Sequence, residues 1–568
     1  MKKLINRPAD VVEEMIAGMA AVYPGLRRLP GHTILVRDDL AEMPDRPVAL
    51  ISGGGSGHEP AHAGYVGQGM LSAAVAGDVF SSPSPDAVLA AVRAVAGTRG
   101  AVLIVKNYTG DRLNFGLAAE LARAEGIPVE IVLVADDVAL SASVGHAGRR
   151  GLAGTILVHK VAGAAAAAGA SLAEVAAEAR TAAVAVRTMG VALSPCTVPA
   201  AGRPGFTLGE NEIELGLGIH GEPGVRRGTL ESADVLVDRL LDTILTDLAP
   251  VAGTRVVLLV NNLGATPAME LAIVARRAVA VLEERKLILE RVYMGTFLSS
   301  LEMAGVSLSV LPVDDRRLSR LDAPTDAPAW PNAAARPRMP KPETAAFPRA
   351  ATAVSNLPTA PRTPLGEQLG VKIRAATTAL IDAAPRLTQM DQVVGDGDLG
   401  ISLERGARAV QEALPSYPLD DPAATLNALA LTLQRTLGGT SGPLYAAFFV
   451  RAASWLREGP AEDAQTWAAA FLAGCAAITE LGGAMRGERT MLDALLPAAE
   501  AFASAVDADS PVADALRAAA DTVSTGARAT ASLVPRCGRS SYLGERALGH
   551  ADPGAEAVAV WIDALARC

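Results

Sequence analysis

Ten prolines fall between Pro324 and Pro364, interleaved with Ala, Thr and Arg, and the hydrophobic rhythm before this tract differs from the rhythm after it. Proline fixes φ and has no N–H to donate, so such a tract continues neither a helix nor a sheet. It reads as an extended, semi-rigid linker over residues 323–364. A chain of 568 residues also exceeds what one core serves, so at least two bodies are expected, one on each side.

Before the linker, over residues 1–322, apolar runs of strand length recur between helical stretches: Val48 to Ser52, Ala101 to Val105, Val129 to Val134 and Val256 to Val260. This alternation predicts α/β layers with ligands at the strand C-terminal ends. The rhythm changes near Thr188-Met189-Gly190, which divides the region into lobes of about 1–187 and 188–322. After the linker, over residues 365–568, amphipathic stretches such as Leu365 to Thr388, Ala424 to Thr436, Ala464 to Leu481 and Met491 to Asp507 follow one another with almost no β-branched runs. That half is expected to be an all-α bundle or barrel.

Composition narrows the partners. The formal net charge is −10 and no basic block or basic helix face is present, which argues against nucleic acid and membrane surfaces and for small molecules or other protein chains. The Ala-rich run from Val161 to Leu172 is too short to span a bilayer. Cys196, Cys475, Cys537 and Cys568 are scattered without a CxxC pair, and the first ten residues lack a signal-peptide core, so a reduced, cytoplasmic protein is expected.

Several segments carry chemistry. Ser52-Gly53-Gly54-Gly55-Ser56-Gly57-His58-Glu59-Pro60 follows an apolar run and reads as a glycine-rich turn offering bare amides to an oxygen-rich ligand; it is not the dinucleotide fingerprint, because His58 stands at the third glycine position. Lys106 and Asp111 share a second polar turn, where taken alone they make a loop salt bridge more readily than a catalytic pair. His220, in Gly218-Ile219-His220-Gly221-Glu222-Pro223-Gly224, has the least ordinary histidine setting. As an imidazole neutral near physiological pH it suits a base, a metal ligand or a nucleophile, against the plainer role of a hydrogen-bonded residue ending a strand. His32, His146, His159 and His550 fit the plainer role better.

In the helical half, Asp391, Asp396 and Asp398 place three carboxylates within eight positions, a costly crowding unless a hard cation such as Mg²⁺ or Ca²⁺ neutralises it. An EF-hand is excluded, since its twelfth position from Asp396 is Ala407. Gly438-Gly439-Thr440-Ser441-Gly442 and Gly487-Glu488-Arg489-Thr490-Met491 add amides and hydroxyls at helix starts, which suits Mg²⁺ with nucleotide phosphates, yet no Walker motif occurs.

Taken together, Ile51 to Gly64, Gly77-Asp78-Val79-Phe80, Asn107-Tyr108-Thr109-Gly110-Asp111 and Gly218 to Gly224 resemble the ketose-binding domain of the dihydroxyacetone kinases. Gly395 to Asp398, Gly439 to Gly442, Gly487 to Asp493 and Asp552-Pro553-Gly554-Ala555 resemble the nucleotide-binding domain of the same family in its single-chain, ATP-dependent form. The resemblance covers nearly the whole chain outside the linker. Two segments depart from it, Gly264 to Pro267 and Leu533 to Ser541.

The resemblance implies that His220 forms a covalent hemiaminal with the substrate carbonyl, that Asp111 and His58 are acid/base residues, and that Gly55, Ser56, Gly57, His58, Lys106 and Asp111 bind the ketose. It implies Mg²⁺ on Asp391, Asp396 and Asp398, and ATP contacts from Asp398, Leu399, Gly400, Ile401, Thr440, Ser441, Gly482, Thr490, Met491, Asp552, Pro553 and Gly554. The expected activity is ATP-dependent phosphorylation of dihydroxyacetone, or of glyceraldehyde or an erythrulose. Alternatives carried by relatives are FAD-AMP lyase activity forming cyclic FMN, and a non-catalytic ketose-responsive regulator. A linker of this length, at roughly 3 Å per residue, also permits a homodimer with domain-swapped active sites.

Overall fold

The computed structural model describes residues 2–140, 148–221, 224–332, 362–395, 397–437, 440–537 and 539–568. The chain divides into two compact units, Met1–Thr344 and Ala345–Cys568.

The first unit begins with α1 (Val11–Val22), then β1 (Leu26–Arg28), β2 (Ile34–Arg37), β3 (Ala49–Ser56), β4 (Ala73–Val79), α2 (Pro85–Val95), β5 (Ala101–Lys106), α3 (Thr109–Ala124), β6 (Val129–Val134), α4 (Thr155–Ala167) and α5 (Leu172–Ala185). Its strands form a six-stranded sheet in the order β1-β2-β4-β3-β5-β6, in which β3 is parallel to both β4 and β5. A second sequence of elements follows: β7 (Arg187–Ala192), β8 (Glu212–Leu215), β9 (Arg226–Thr229), α6 (Ala233–Leu248), β10 (Arg255–Asn262), α7 (Ala268–Glu284), β11 (Ile288–Gly295), β12 (Gly305–Pro312) and α8 (Asp315–Asp322). These strands form another six-stranded sheet, β11-β10-β12-β7-β8-β9.

Alternation along the strands sorts side chains between layers. Ala49 and Ile51 of β3 face α2 and α3, whereas Leu50 packs with α4 and α5. The same α4 and α5 layer receives Val257, Leu259 and Leu311 of the second sheet, whose opposite face (Leu258, Val260, Leu308) packs on α6 and α7. Helix α4 is therefore buried on every side, which explains its Ala-rich sequence: a Cβ on Gly163 would stand 2.3 Å from the Met70 backbone.

The tract read as a linker from residue 323 starts later than its proline content suggests. Trp330 is buried against Tyr293, with ring centroids 4.7 Å apart, and the Ala329 N–H donates to Gly64 O at 2.9 Å, so Pro324–Asn332 is laid onto the first unit. Its apolar anchors, Ala327 and Trp330, outweigh the breaking tendency of Pro324, Pro328 and Pro331. The rest of the tract up to residue 361 lies outside the described residues.

The second unit consists of α9 (Pro364–Val394), α10 (Leu399–Ala413), α11 (Pro422–Thr436), α12 (Ser441–Leu456), α13 (Ala464–Gly482), α14 (Leu492–Asp507), α15 (Val512–Ala529) and α16 (Pro553–Arg567). Each packs on the next and α16 returns to α9, closing a ring of eight helices among the described residues. The ring surrounds an apolar cavity of about 450 Å³ whose lining includes Leu369, Ile373, Phe448, Phe449, Trp467 and Trp561. Short connections between most neighbours make them antiparallel, so α10, α12, α14 and α16 start at one rim. Two contacts mark that rim: Arg386, near the end of α9, meets Glu556, near the start of α16, at 2.9 Å, and Arg489, just before α14, donates to His550 O, just before α16, at 2.9 Å. No helix among the described residues is long and apolar enough to cross a membrane.

Candidate active site

The glycine-rich segment is not a turn. Strand β3 runs through it, pairing Gly53 with Val75, Gly54 with Ala76 and Gly55 with Gly77 on β4. Glycine is required because neighbours press against the missing side chains: a Cβ on Gly53 would lie 2.2 Å from Val75 O, and one on Gly55 2.5 Å from Ser81 N. Gly54 has φ 147°, and a Cβ there would fall 2.8 Å from Lys106 Nζ and 3.4 Å from Asp111 Oδ2. The bare strand thus opens room for the cation and carboxylate that β5 and the first turn of α3 deliver at the same sheet edge. Ser56 closes the strand, its hydroxyl donating to Gly77 O at 2.7 Å.

Beyond β3, Gly57 and His58 are held by the second lobe: the Leu301 N–H donates to Gly57 O at 2.7 Å and the Ser299 N–H to His58 O at 3.1 Å. The His58 ring is fully buried, and its Nδ1 lies 2.9 Å from Ser299 O. A carbonyl only accepts, so the proton sits on Nδ1 and Nε2 presents a lone pair, with no hydrogen-bond partner in the structure. Burial first, then the charge of Lys106, keeps this imidazole well below its usual range and hence neutral.

His220 meets His58 edge to face at 4.9 Å. Phe80 stacks on His58 at 5.2 Å, and the Phe80 and Tyr108 rings lie 5.5 and 4.4 Å from His220. Phe80 has φ 61°, a left-handed conformation that costs a non-glycine residue about 1 kcal/mol or more, and its N–H is tied to Ser56 O at 2.9 Å. The result is a box of four rings, in which His58 is fully buried and Phe80, Tyr108 and His220 are half-buried. Burial, reinforced by Lys106 and Arg150, pushes His220 down to about 3, so its ring is also neutral. Glu222 and Pro223 of its motif lie outside the described residues.

Lys106 is fully buried and Asp111 nearly so. Burial lowers the lysine and raises the aspartate, while each one's charge opposes the shift in the other. Gly55, Ser56, Gly57, His58, Lys106, Asp111 and His220, chosen from separate motifs, therefore meet at one place. Glu59, Phe80 and Tyr108 belong to the same wall and were not singled out from the sequence. Glu59 is the carboxylate that accepts the Gly57 N–H at 3.1 Å.

In the second unit the selected positions cluster at the rim. Asp398 precedes α10 and makes no capping hydrogen bond, leaving its carboxylate available, while Leu399, Gly400 and Ile401 form the helix's first turn. Asp391 Oδ2 accepts the N–H groups of Asp398 at 3.0 Å and Leu399 at 3.2 Å, which ties the start of α10 to the end of α9. Thr440 and Ser441 start α12, and Gly482 ends α13 with Leu444 of α12 beside it. Thr490 and Met491 precede α14, and Asp552 caps α16 at Pro553 and Gly554, its Oδ1 accepting from Ala555 N at 2.8 Å. Burial pushes Asp552 up to about 6. Asp396, Gly438 and Gly439 lie outside the described residues, among which no group of three metal-ligating side chains occurs.

Residues 17–329 match the Dak1 domain and residues 393–567 the DAK2 domain. The chain belongs to the dihydroxyacetone kinase family. It is 49% identical to a putative 3,4-dihydroxy-2-butanone kinase of Solanum lycopersicum, covering 100% of this chain and 98% of the relative. It is 43% identical to the human triokinase/FMN cyclase, over 99% and 98%. The crystal structure of the dihydroxyacetone kinase from C. freundii in complex with AMP-PNP and Mg²⁺ matches with TM-score 0.61 and 36% identity, over 100% of this chain and 99% of that one.

Mg²⁺ and a nucleoside triphosphate fit the rim of this family member. Asp391 in the last turn of α9 and Asp398 just before α10 are hard oxygen donors, the second not consumed by capping, and four helix N-termini add backbone N–H groups whose dipoles favour phosphate. Two residues there escaped the sequence reading. Asp493 accepts the N–H groups of Gly487 and, at 2.8 Å, Thr490, shaping the loop before α14. Arg489 is 1% exposed with φ 60° and lies 4.0 Å from Asp552.

Proposed function

We propose that this chain transfers the terminal phosphoryl group of ATP to a hydroxyl of dihydroxyacetone or another short ketose. The observation that carries the reading is the ring box: two neutral imidazoles in contact, beside a buried lysine and carboxylate, suit a small uncharged carbonyl compound. An imidazole nitrogen of His220 attacks the ketose carbonyl carbon. The new C–N bond takes the place of the C=O π bond, and the oxygen gains the imidazole proton to become a hydroxyl. This tether selects ketones and aldehydes over polyols and fixes the terminal hydroxyl. His58 Nε2 takes the proton of that hydroxyl, with Asp111 as the alternative base, while Gly55, Ser56, Gly57 and Lys106 line the substrate.

Asp391 and Asp398, with Asp396 between them in sequence, would hold Mg²⁺. Leu399, Gly400, Ile401, Thr440, Ser441, Gly482, Thr490, Met491 and the Asp552 to Gly554 turn would contact the nucleotide. Bound Mg-ATP supplies the phosphoryl group and the charge neutralisation for its in-line transfer. A coupled ADP-release assay over three- and four-carbon ketoses tests the reading, and no ketose-dependent ADP release with any of them would refute it.

The human relative's name supports a second activity, FAD cleavage to cyclic FMN by the nucleotide half. It needs no ketose, so it survives His220→Ala in an assay with FAD and Mn²⁺. The same proposal includes a homodimer in which one chain's nucleotide unit serves its partner's ketose unit, resting on the length of the connecting tract. Solution mass, and recovery of activity on mixing His220 and Asp398 variants, test it. A cytoplasmic setting rests on the four scattered cysteines.

A further inference from the structure

Behind the ketose pocket, three buried side chains stand in a row. Lys106 Nζ lies 3.0 Å from His62 Nε2, and His62 Nδ1 lies 3.0 Å from His159 Nε2. Lys106 and His159 have no exposed surface and His62 is 6% exposed. An ammonium has only protons to give, so His62 Nε2 is the acceptor and its own proton sits on Nδ1. That proton is donated to His159 Nε2, which puts the His159 proton on Nδ1, an atom with no hydrogen-bond partner in the structure. Reversing the row would turn a nitrogen-bound proton of His62 towards the ammonium. The direction is therefore set by the lysine's charge, and neither imidazole touches the ring box around His220.

We propose that His62 and His159 are positioning residues for Lys106: the row takes one ammonium proton away from the pocket, aims the others at Asp111 and the substrate, and keeps the lysine charged during phosphoryl transfer. The inference rests on the ketose-kinase reading above. Among the described residues, these titratable and charged groups face the row. Asp111 from α3 and Glu59 after β3 act on Lys106, and both favour its charged form. His58 and His220 lie on the pocket side, with Arg150 beyond His220. Tyr65, whose ring is 6.5 Å from His159, spends its hydroxyl on Phe297 O at 2.7 Å. Burial, with the lysine's charge added, holds His62 well below its usual range and His159 at about 3, so both remain neutral acceptors across an assay range.

The sign follows from the acceptor. Removing His62 Nε2 takes away a hydrogen bond that favours the charged lysine, so Lys106 loses its proton at a lower pH and the alkaline limb of kcat/KM for the ketose moves towards acid. In the full-length enzyme, His62→Leu should shift that limb by about one pH unit or more and lower kcat/KM above it on the order of tenfold. KM for ATP should not change. His62→Gln, which keeps an acceptor near the Nε2 position, should retain the wild-type limb, and His159→Leu should give a smaller shift than His62→Leu. A purely structural role would lower melting temperature or yield and leave the limb in place. An unmoved limb in folded His62→Leu, or a limb that moves in His62→Gln, overturns the proposal; where His62→Leu does not fold, His159→Leu takes its place with the same criterion. Wild-type enzyme that phosphorylates no ketose would instead overturn the underlying reading, so the two failures are distinguishable.

Discussion

The two units meet charge in opposite ways. In the first, His58, Lys106 and Asp111 are removed from water, and their states are set by one another and by burial. In the second, Asp398 and Thr440 are exposed and the candidate positions sit on helix ends. A small neutral carbonyl compound repays little of the cost of drying a site, so the pocket that takes it has to be dry and arranged beforehand. A nucleotide carrying several negative charges brings strong electrostatics with it, and a rim of helix N-termini with acidic metal ligands suffices. Damage to the first unit should therefore show in ketose kinetics, and damage to the second in nucleotide kinetics.

The sharpest way to break this division is His220→Ala. Loss of a covalent tether should lower kcat/KM for the ketose by roughly a thousandfold, on the scale of lost positioning, with KM for ATP and FAD cleavage intact. Turnover at low ketose equal to wild type would sink the tether. Next in size is Asp398→Asn, expected to reduce turnover by about a hundredfold with either ketose or FAD, because the proposed metal ligand would serve both reactions. Ketose binding, followed calorimetrically without nucleotide, should be unaffected. Chelation by EDTA should reproduce the loss in the wild-type enzyme.

How much of this arrangement the chain discloses before folding depends on the range of the interaction. Strands and helices are short-range patterns, and Val129 to Val134 and Ala464 to Leu481 reappear as β6 and α13. The glycines at 53–55 read as a turn because composition does not distinguish a glycine in a turn from one in a strand pressed by its neighbours. Here the neighbours are β4, the Phe80–Ser81 backbone and Lys106. Trp330 was lost among prolines because its partner Tyr293 belongs to β11. His159 looked ordinary because its partner lies 97 residues away, and His62 meets Lys106 across 44. Resemblance drew His58, Lys106, Asp111 and His220 from separate motifs, while the ring box and the histidine row needed the fold.

Two smaller effects sharpen the contrast. Gly54→Ala places a methyl group 2.8 Å from Lys106 Nζ at φ 147°, so the lysine must move or the strand must yield. The expected outcome is a fall of roughly tenfold in ketose kcat/KM and a destabilisation of about 1–3 kcal/mol, from kinetics and thermal unfolding. Ketose kinetics indistinguishable from wild type would mean that the bare strand is not part of the pocket. The pH profile tests the two neutral imidazoles. His58 held well below its usual range, and His220 held at about 3, both stay unprotonated as pH falls through 6.5. Ketose kcat/KM at saturating Mg-ATP should therefore change less than about threefold between pH 7.5 and 5.5. An ordinary imidazole base would lose about tenfold by pH 5.5, one unit below its pKa.

The smallest effect belongs to the nucleotide half and concerns the loop before α14. Asp493 accepts two backbone N–H groups, one with each oxygen, from Gly487 and Thr490. Asp493→Asn keeps one acceptor but turns an NH₂ towards the other N–H, so one hydrogen bond to a charged group is lost and a donor faces a donor. A loss of that kind is worth about 1.5–3 kcal/mol in a fully buried setting and less where water can reach the loop. The expected outcome is a rise in KM for ATP of about three- to tenfold, with KM for the ketose and the position of the alkaline limb unchanged. Because Asp493 touches backbone alone, Asp493→Ala should not be milder than Asp493→Asn by more than the repulsion it removes. If either variant raised KM for the ketose instead, the loop would be acting on the ketose site, and the assignment of separate tasks to the two units would fail.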